Sequence, residues 1–348
     1  MVLNRLSKKE IKQFEQFLAS PYFNQRADLQ RLLTTWNQHR GQPLAAEELY
    51  RLIYPKRKFK LQELRLLMSY LFRLLEQFLL SQELLATENE QVKQLAKVRV
   101  YQRLKLPKLA LKALQKNANS SIQNAEFYYE QFQKLTLAYE FSSIENPSSD
   151  HQFQATADNL DIAYFALKLR QTCLSLSHQA VYQSDFKAHF LEEIIAEIIR
   201  RELQEIPAIG IYYYIYKTLT EEHAVDSFRQ LKLLLFQHHQ VFPNKEVRDI
   251  YVMTINHCIR AMNRGEMEYL EEVLEIYKQG LEQEYLLENG TLSRFTYNNI
   301  VRIALKVNDL DWASYFIHHY KNSLDRSFRT SIFNFSLASL AYARKDYD

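Results

Sequence analysis

Two stretches of this chain overlay at a constant offset of 43 residues. NRGEMEYLEEVLEIYKQGL (263–281) and KVNDLDWASYFIHHYKNSL (306–324) set Gly265 on Asn308, Glu266 on Asp309, Glu268 on Asp311, Tyr269 on Trp312 and Leu281 on Leu324. Lys345-Asp346-Tyr347-Asp348 repeats Asn308-Asp309-Leu310-Asp311 at an offset of 37. RLKLPKLALKALQK (103–116) is a fainter copy, with Ala110 in the place of Ala313. Self-similarity at a few tens of residues is a strong constraint, because one helical hairpin cannot bury its own apolar face and must stack on the next. The clearest copies read as helix, a turn with Gly, Asn or Lys followed by an acid, then helix. The acid suits a helix start, where free amides and the positive dipole end meet it.

The rest of the chain agrees with a helical reading. Five Gly and seven Pro in 348 residues leave little room for tight hairpins, phosphate loops or bulges, which use glycine for positive φ or close backbone approach. No segment alternates with period two. Ser7-Lys8-Lys9-Glu10 has capping-box spacing, followed by Ile11, Phe14, Phe17 and Leu18 at helical intervals, and Ser20-Pro21 ends that helix. Further helices are expected over 27–39 and 45–53. The basic loop YPKRKFK (54–60) follows, and then an apolar stripe of Leu61, Leu64, Met68, Leu71, Leu75 and Phe78. That stripe predicts a core helix of a small bundle rather than a coiled-coil seam, which needs a longer run. Beyond it, helices are expected near 88–104, 107–116, 121–141, 152–182 as two, 186–205, 207–219, 221–240, 244–263, 266–282, 292–307, 310–322 and 327–344. ENPSSD (145–150), with Ser149 or Asp150 as a cap, and FPNKE (242–246) are the clear breaks. Short turns between so many helices predict stacked antiparallel pairs.

The expected organisation is a basic N-terminal helical bundle over 1–86 and a helical-repeat array over 87–348. The natural chain is expected to continue past Asp348, since the sequence stops where a second helix of a copy should begin. Charge divides the chain in a similar way. Residues 1–117 carry 22 Lys and Arg against 10 Asp and Glu, a net of +12, whereas residues 118–348 carry 22 against 31, a net of −9. The two cysteines, Cys173 and Cys258, form neither a CxxC nor a disulfide framework, which points to a reducing compartment. The N-terminus lacks the apolar run of a signal peptide. Segment 64–80 is broken by Arg65, Arg73 and Glu76, so no membrane insertion is expected and the expected location is cytoplasmic.

The repeated helix–turn–helix units, with "A…(G/N)D…A" joining the helices, resemble degenerate tetratricopeptide (TPR) repeats. The resemblance implies an all-α, right-handed array of antiparallel helix pairs, a TPR-like α-solenoid. The offsets of 43 and 37 exceed the usual period of 34, and the consensus Gly-Tyr pair is missing, which implies longer helices and an irregular superhelix. LSKKEIKQFEQFLASPYFNQRADLQRLL (6–33) and DWASYFIHHYK also resemble a family of helical proteins from Bacteroidetes-type bacteria, a likeness that brings no activity with it.

Candidate chemistry is sparse. Asp311, His318 and His319 sit in one copy of the repeat. Asp311 and His318 are seven residues apart, roughly 10 Å along a helix, too far to share a metal whose ligands lie at about 2 Å. His238-His239 falls at a helix end and His257-Cys258 inside an apolar helix. There is no HExxH, CxxC, P-loop, GxGxxG or GxSxG, so neither an enzyme nor a cofactor is expected. Two binding surfaces compete. Tyr212, Tyr213 and Tyr216 in IGIYYYIYKTL, with Asn256, Asn298 and Asn299, are candidates for a peptide-binding inner groove on a scaffold for a protein or peptide partner. Lys56, Arg57, Lys58 and Lys60 are candidates for nucleic-acid contact, with Lys93, Lys97, Arg99, Arg103, Lys105, Lys108, Lys112 and Lys116 extending the basic stripe along two helices. A solvated charged face is the plainer reading of that stripe.

Overall fold

The computed structural model describes residues 2–42, 44–86, 90–115, 121–145, 152–182 and 185–346. Ser149, Asp150, Lys116, Tyr347 and Asp348 lie outside them. The described residues form sixteen α-helices and short 3₁₀ turns, with no strand beyond an isolated bridge between Glu288 and Thr291. The chain divides into two compact units, Met1–Ala118 and Asn119–Asp348. The expected division after residue 86 and this one differ by a single helix pair. The observed one coincides with the reversal of charge.

The first unit contains α1 (Lys8–Ala19), α2 (Ala27–Gln38), α3 (Ala46–Ile53), α4 (Leu61–Leu85), α5 (Glu90–Arg103) and α6 (Pro107–Gln115). The capping box starts α1 as read from sequence: the Glu10 amide donates to Ser7 Oγ at 3.2 Å and the Ser7 amide to Glu10 Oε2 at 2.7 Å. Buried Asn24 holds the next turn, donating to the carbonyls of Leu18 at 2.9 Å and Arg26 at 3.0 Å. The core gathers Phe14, Leu18, Leu29, Leu33, Tyr50 and Ile53 around α4. The face α4 buries is Leu64, Leu67, Leu71, Leu75 and Phe78. Leu67 thus stands where the stripe had Met68. Leu61 and Met68 fall at the edge of that face and remain exposed.

The second unit contains α7 (Ala125–Glu145), α8 (Phe153–Tyr182), α9 (Leu191–Arg200), α10 (Pro207–Thr220), α11 (Val225–His238), α12 (Asn244–Asn263), α13 (Tyr269–Glu282), α14 (Arg294–Val307), α15 (Leu310–His319) and α16 (Arg329–Arg344). The segment expected to hold two helices is the single 30-residue α8; no Gly or Pro interrupts it. The segment 186–205 is shorter in helix than expected, because Glu202 takes a left-handed conformation (φ 54°) and a 3₁₀ turn follows. Helices adjacent in sequence pack together, α7 on α8, α12 on α13, and α13 through α16 in succession; α10 also meets α12, and α14 meets α16.

The sequence repeat corresponds to a recurring turn. Lys105, Gly265, Asn308 and Lys345 all have left-handed backbone, with φ of 56°, 99°, 65° and 59°. In each copy the following amide reaches back across the last turn: Leu106 to Tyr101, Glu266 to Ala261, Asp309 to Ala304 and Asp346 to Ala341, at 2.9–3.1 Å. The left-handed residue itself donates to Gln102, Met262, Leu305 or Tyr342. This is a Schellman termination, which satisfies carbonyls that a helix end otherwise leaves unpaired. In the clearest copy Asp309 then caps α15, accepting from the Trp312 amide at 3.3 Å, and pairs with Lys278 at 2.7 Å. Asp309 thus closes one helix pair and ties it to the one before.

Candidate functional site

The groove with the clearest mixed chemistry lies between α14 and α16. Ser293 caps α14 by accepting from the Phe295 amide at 3.3 Å. Tyr297, Ile300, Ile303 and Ala304 then turn inward, and the Tyr297 hydroxyl donates to the Ile317 carbonyl at 3.0 Å, fixing α14 against α15. That leaves Asn298, Arg302, Leu305 and Lys306 on the opposite face, at i, i+4, i+7 and i+8. Phe335, Ser339 and Tyr342 face them from α16, around a groove of about 800 Å³. Phe335 and Tyr342 are 69% and 74% exposed, unusually open for large rings. Ser336 also borders the groove; its Oγ is buried and has no hydrogen-bond partner among the described residues. No acidic group among the described residues lies within 4.0 Å of Arg302 or Lys306. Amides, cations and rings suit a chain segment with carboxylate and apolar side chains, since its charges find donors and its apolar groups leave water.

The sequence placed six residues on one inner surface, and the structure brings only Asn298 and Asn299 into this groove. Asn256 is exposed on α12, outside this lining. The tyrosine part of the expectation is corrected. Tyr212 is 2% exposed, and its hydroxyl donates to Glu246 Oε1 at 2.8 Å. Glu246 also pairs with Arg170 at 3.0 Å and accepts from Asn124 at 2.9 Å. Burial and the neighbouring Glu246 carboxylate push the Tyr212 phenol well above its ordinary pKa. It is therefore a neutral donor inside a polar cluster that joins α8, α10 and α12. Tyr213 is buried too, and Tyr216 is half-buried against the core. α10 is covered on more than one side, so its tyrosines pack into the core.

Lys56, Arg57, Lys58 and Lys60 are all exposed. Arg57 bonds Glu63 at 2.8 Å and lies over the Tyr54 ring at 4.8 Å, while Glu63 accepts from the Tyr50 hydroxyl at 2.7 Å. Part of this basic loop therefore anchors α3 to α4. In the repeat, His318 Nδ1 lies 2.8 Å from the Ser314 carbonyl and His319 stacks on Tyr315. Both histidines are occupied locally. His257 is buried with Nδ1 3.0 Å from the Thr218 carbonyl; burial and the nearby Arg260 bring its pKa down to about 4. Cys173 and Cys258 are free and fully buried, and burial pushes both thiols up.

One cavity escaped the sequence reading. It has a volume of about 580 Å³ in the first unit, with Leu3, Trp36, Met68, Leu71, Phe72 and Leu75 among its walls. Its residues come from the chain start, α2 and the segment after it, α3 and α4, and no local pattern joins them. Met68 and Phe72, exposed at the edge of an otherwise buried face, were the available signal. Among the described residues, no group of three or more His, Cys, Asp or Glu side chains is arranged to hold a metal. None of the described helices is long and apolar enough to cross a membrane. No protein family, curated protein or solved structure matches the chain.

Proposed function

We propose that this protein is a non-catalytic scaffold of TPR-like, right-handed α-solenoid architecture that binds a protein or peptide segment between α14 and α16. The carrying observation is the groove itself: Asn298, Asn299, Arg302 and Lys306 on one wall, exposed Phe335 and Tyr342 on the other. The recurring Schellman turns and the contacts of α14 with both α15 and α16 support the array reading. The proposal carries with it the cytoplasmic setting expected from sequence, supported by two buried free thiols.

Selection of a random-peptide library on the full chain tests this. Enrichment of peptides that combine acidic and apolar residues is expected. Arg302→Glu should weaken the selected peptides at least about tenfold, the scale of a charge-assisted bond of roughly 1.5–3 kcal/mol, while Lys58→Glu leaves them unchanged. A selection that yields no peptide, or peptides indifferent to Arg302, would sink the proposal.

A further inference from the structure

Residues 91–118 contain eight Lys and Arg and no Asp or Glu. The structure shows what this stretch presents. The inner face of α5 is anchored by Val98, which is 1% exposed. Its outer face bears a ridge of Val92, Ala96 and Val100 at successive i, i+4 positions, which Leu104 continues in the turn just after the helix; all are exposed, with Leu104 at 56%. On the helix, Arg99 and Arg103 flank one side of that ridge and Lys97 the other. The turn into α6 continues the pattern with Lys105, Leu106, Lys108, Leu109 and Lys112, all exposed. No acidic group among the described residues lies within 4.0 Å of Arg99, Arg103, Lys105, Lys108 or Lys112.

We infer that the α5–α6 pair is a docking surface for an anionic phospholipid bilayer. An aliphatic ridge bordered by cations fits the boundary between acyl chains and headgroups: the ridge enters the boundary, and the long Lys and Arg stems carry their charges up to lipid phosphates. Charge complementarity alone would suit any polyanion; the ridge decides between them. A nucleic acid draws on cations and stacking rings. The one ring on α5 is that of Tyr101, which is half-buried with Lys97 over it at 5.9 Å. Exposed Val92, Val100 and Leu104 add nothing to a phosphate-backbone contact. The contact is peripheral, in keeping with the lack of a spanning helix among the described residues.

The test is sedimentation of the full chain with phosphatidylcholine vesicles, with and without phosphatidylserine, alongside binding of a duplex and a single-stranded oligonucleotide. Salt-sensitive binding to the phosphatidylserine vesicles, and none to the neutral ones, is expected at low salt. Arg99→Gln with Arg103→Gln should weaken it about 25-fold, given roughly fivefold per removed charge. Val100→Ser with Leu104→Ser leaves the charge intact and should also weaken it several-fold. Val92→Ser, at the far end of the ridge, should act in the same direction, so the result does not rest on one variant's folding. Failure to sediment with phosphatidylserine vesicles would overturn the inference. So would vesicle binding unchanged by loss of the ridge. Oligonucleotide binding that matches or exceeds vesicle binding and ignores the Ser substitutions would assign the surface to nucleic acid instead.

Discussion

In Asn119–Asp348 many cations reach across helices to acids, beside local pairs such as Arg200 with Glu197 and Arg229 with Asp226. Arg170 pairs with Glu126 and Glu246, Arg201 with Asp158 and Asp161, Lys232 with Glu272 and Glu275, and Arg344 with Asp311. In Met1–Ala118 the ion pairs among the described residues join near neighbours in sequence, Arg26 with Asp28, Arg51 with Glu47 and Arg57 with Glu63. A chain of net charge +3 therefore contains one unit of +12 and one of −9, and they use charge differently. The second unit adds to its local pairs a set of links that tie one helix to another, and several of these are partly buried. The first leaves most of its cations facing water. Exposed pairs contribute little to stability, whereas buried polar groups must be satisfied or they cost a great deal. The second unit should accordingly be the more sensitive to single substitutions and to acid.

The largest expected contrast comes from Gly210. A Cβ added there would sit 2.2 Å from the Gln204 carbonyl oxygen, a backbone atom with little freedom to retreat. Gly210→Ala is expected to cost about 3 kcal/mol, the upper range for overpacking, and to lower the melting of the second unit alone. Urea melts followed separately by Trp36 fluorescence for the first unit and Trp312 for the second would show it. Equal loss in both would break the contrast.

Acid gives the next effect. The folded pKa of His257, about 4, lies below its ordinary 6.5. The folded state therefore resists protonation, and the stability present above pH 6.5 is lost as pH falls toward 4. The loss is about 3 kcal/mol at roughly 1.4 kcal/mol per unit. Denaturant titrations of wild type and His257→Gln across that range should differ in slope for the second unit. Identical slopes would remove His257 as the cause.

The smallest effect sharpens the likeness between the units. Lys105 and Asn308 occupy the same left-handed turn position, where a side chain other than Asn or Asp costs about 1 kcal/mol. Lys105→Gly should stabilise the first unit by up to about 1 kcal/mol, and Asn308→Gly should change the second by less. Equal gains at both sites would mean that the two turns are not equivalent in strain to their side chains.

Much of the architecture was legible because helix signals are local. The Ser7–Glu10 box, Ser20-Pro21 and Asp309 after its turn act within a few residues, and those residues stand where the signals put them. The recurring turn was legible for the same reason, since a Schellman turn is set by its own backbone. Where two helices were expected over 152–182, composition gave no break, and packing along α8 kept it whole. The site was less legible. Asn298 and Asn299 drew notice as amides at helical spacing, but their partners Phe335 and Tyr342 lie some 40 residues on, and no spacing rule links the two walls. Tyr212 misled because its hydroxyl partner, Glu246, is 34 residues away in sequence. A tyrosine bound for a buried carboxylate and one bound for a ligand look alike in a string of letters.

The two buried thiols give the molecule an internal clock. Cys173 in α8 and Cys258 in α12 both belong to Asn119–Asp348, and each is closed to reagents while its helix stays packed. Since only the exposed thiolate reacts, the alkylation rate of the intact chain counts openings of the second unit and is silent about the first. A ligand that seats between α14 and α16 and steadies the helices beneath would slow that clock, so its occupancy can be timed without labelling the groove at all.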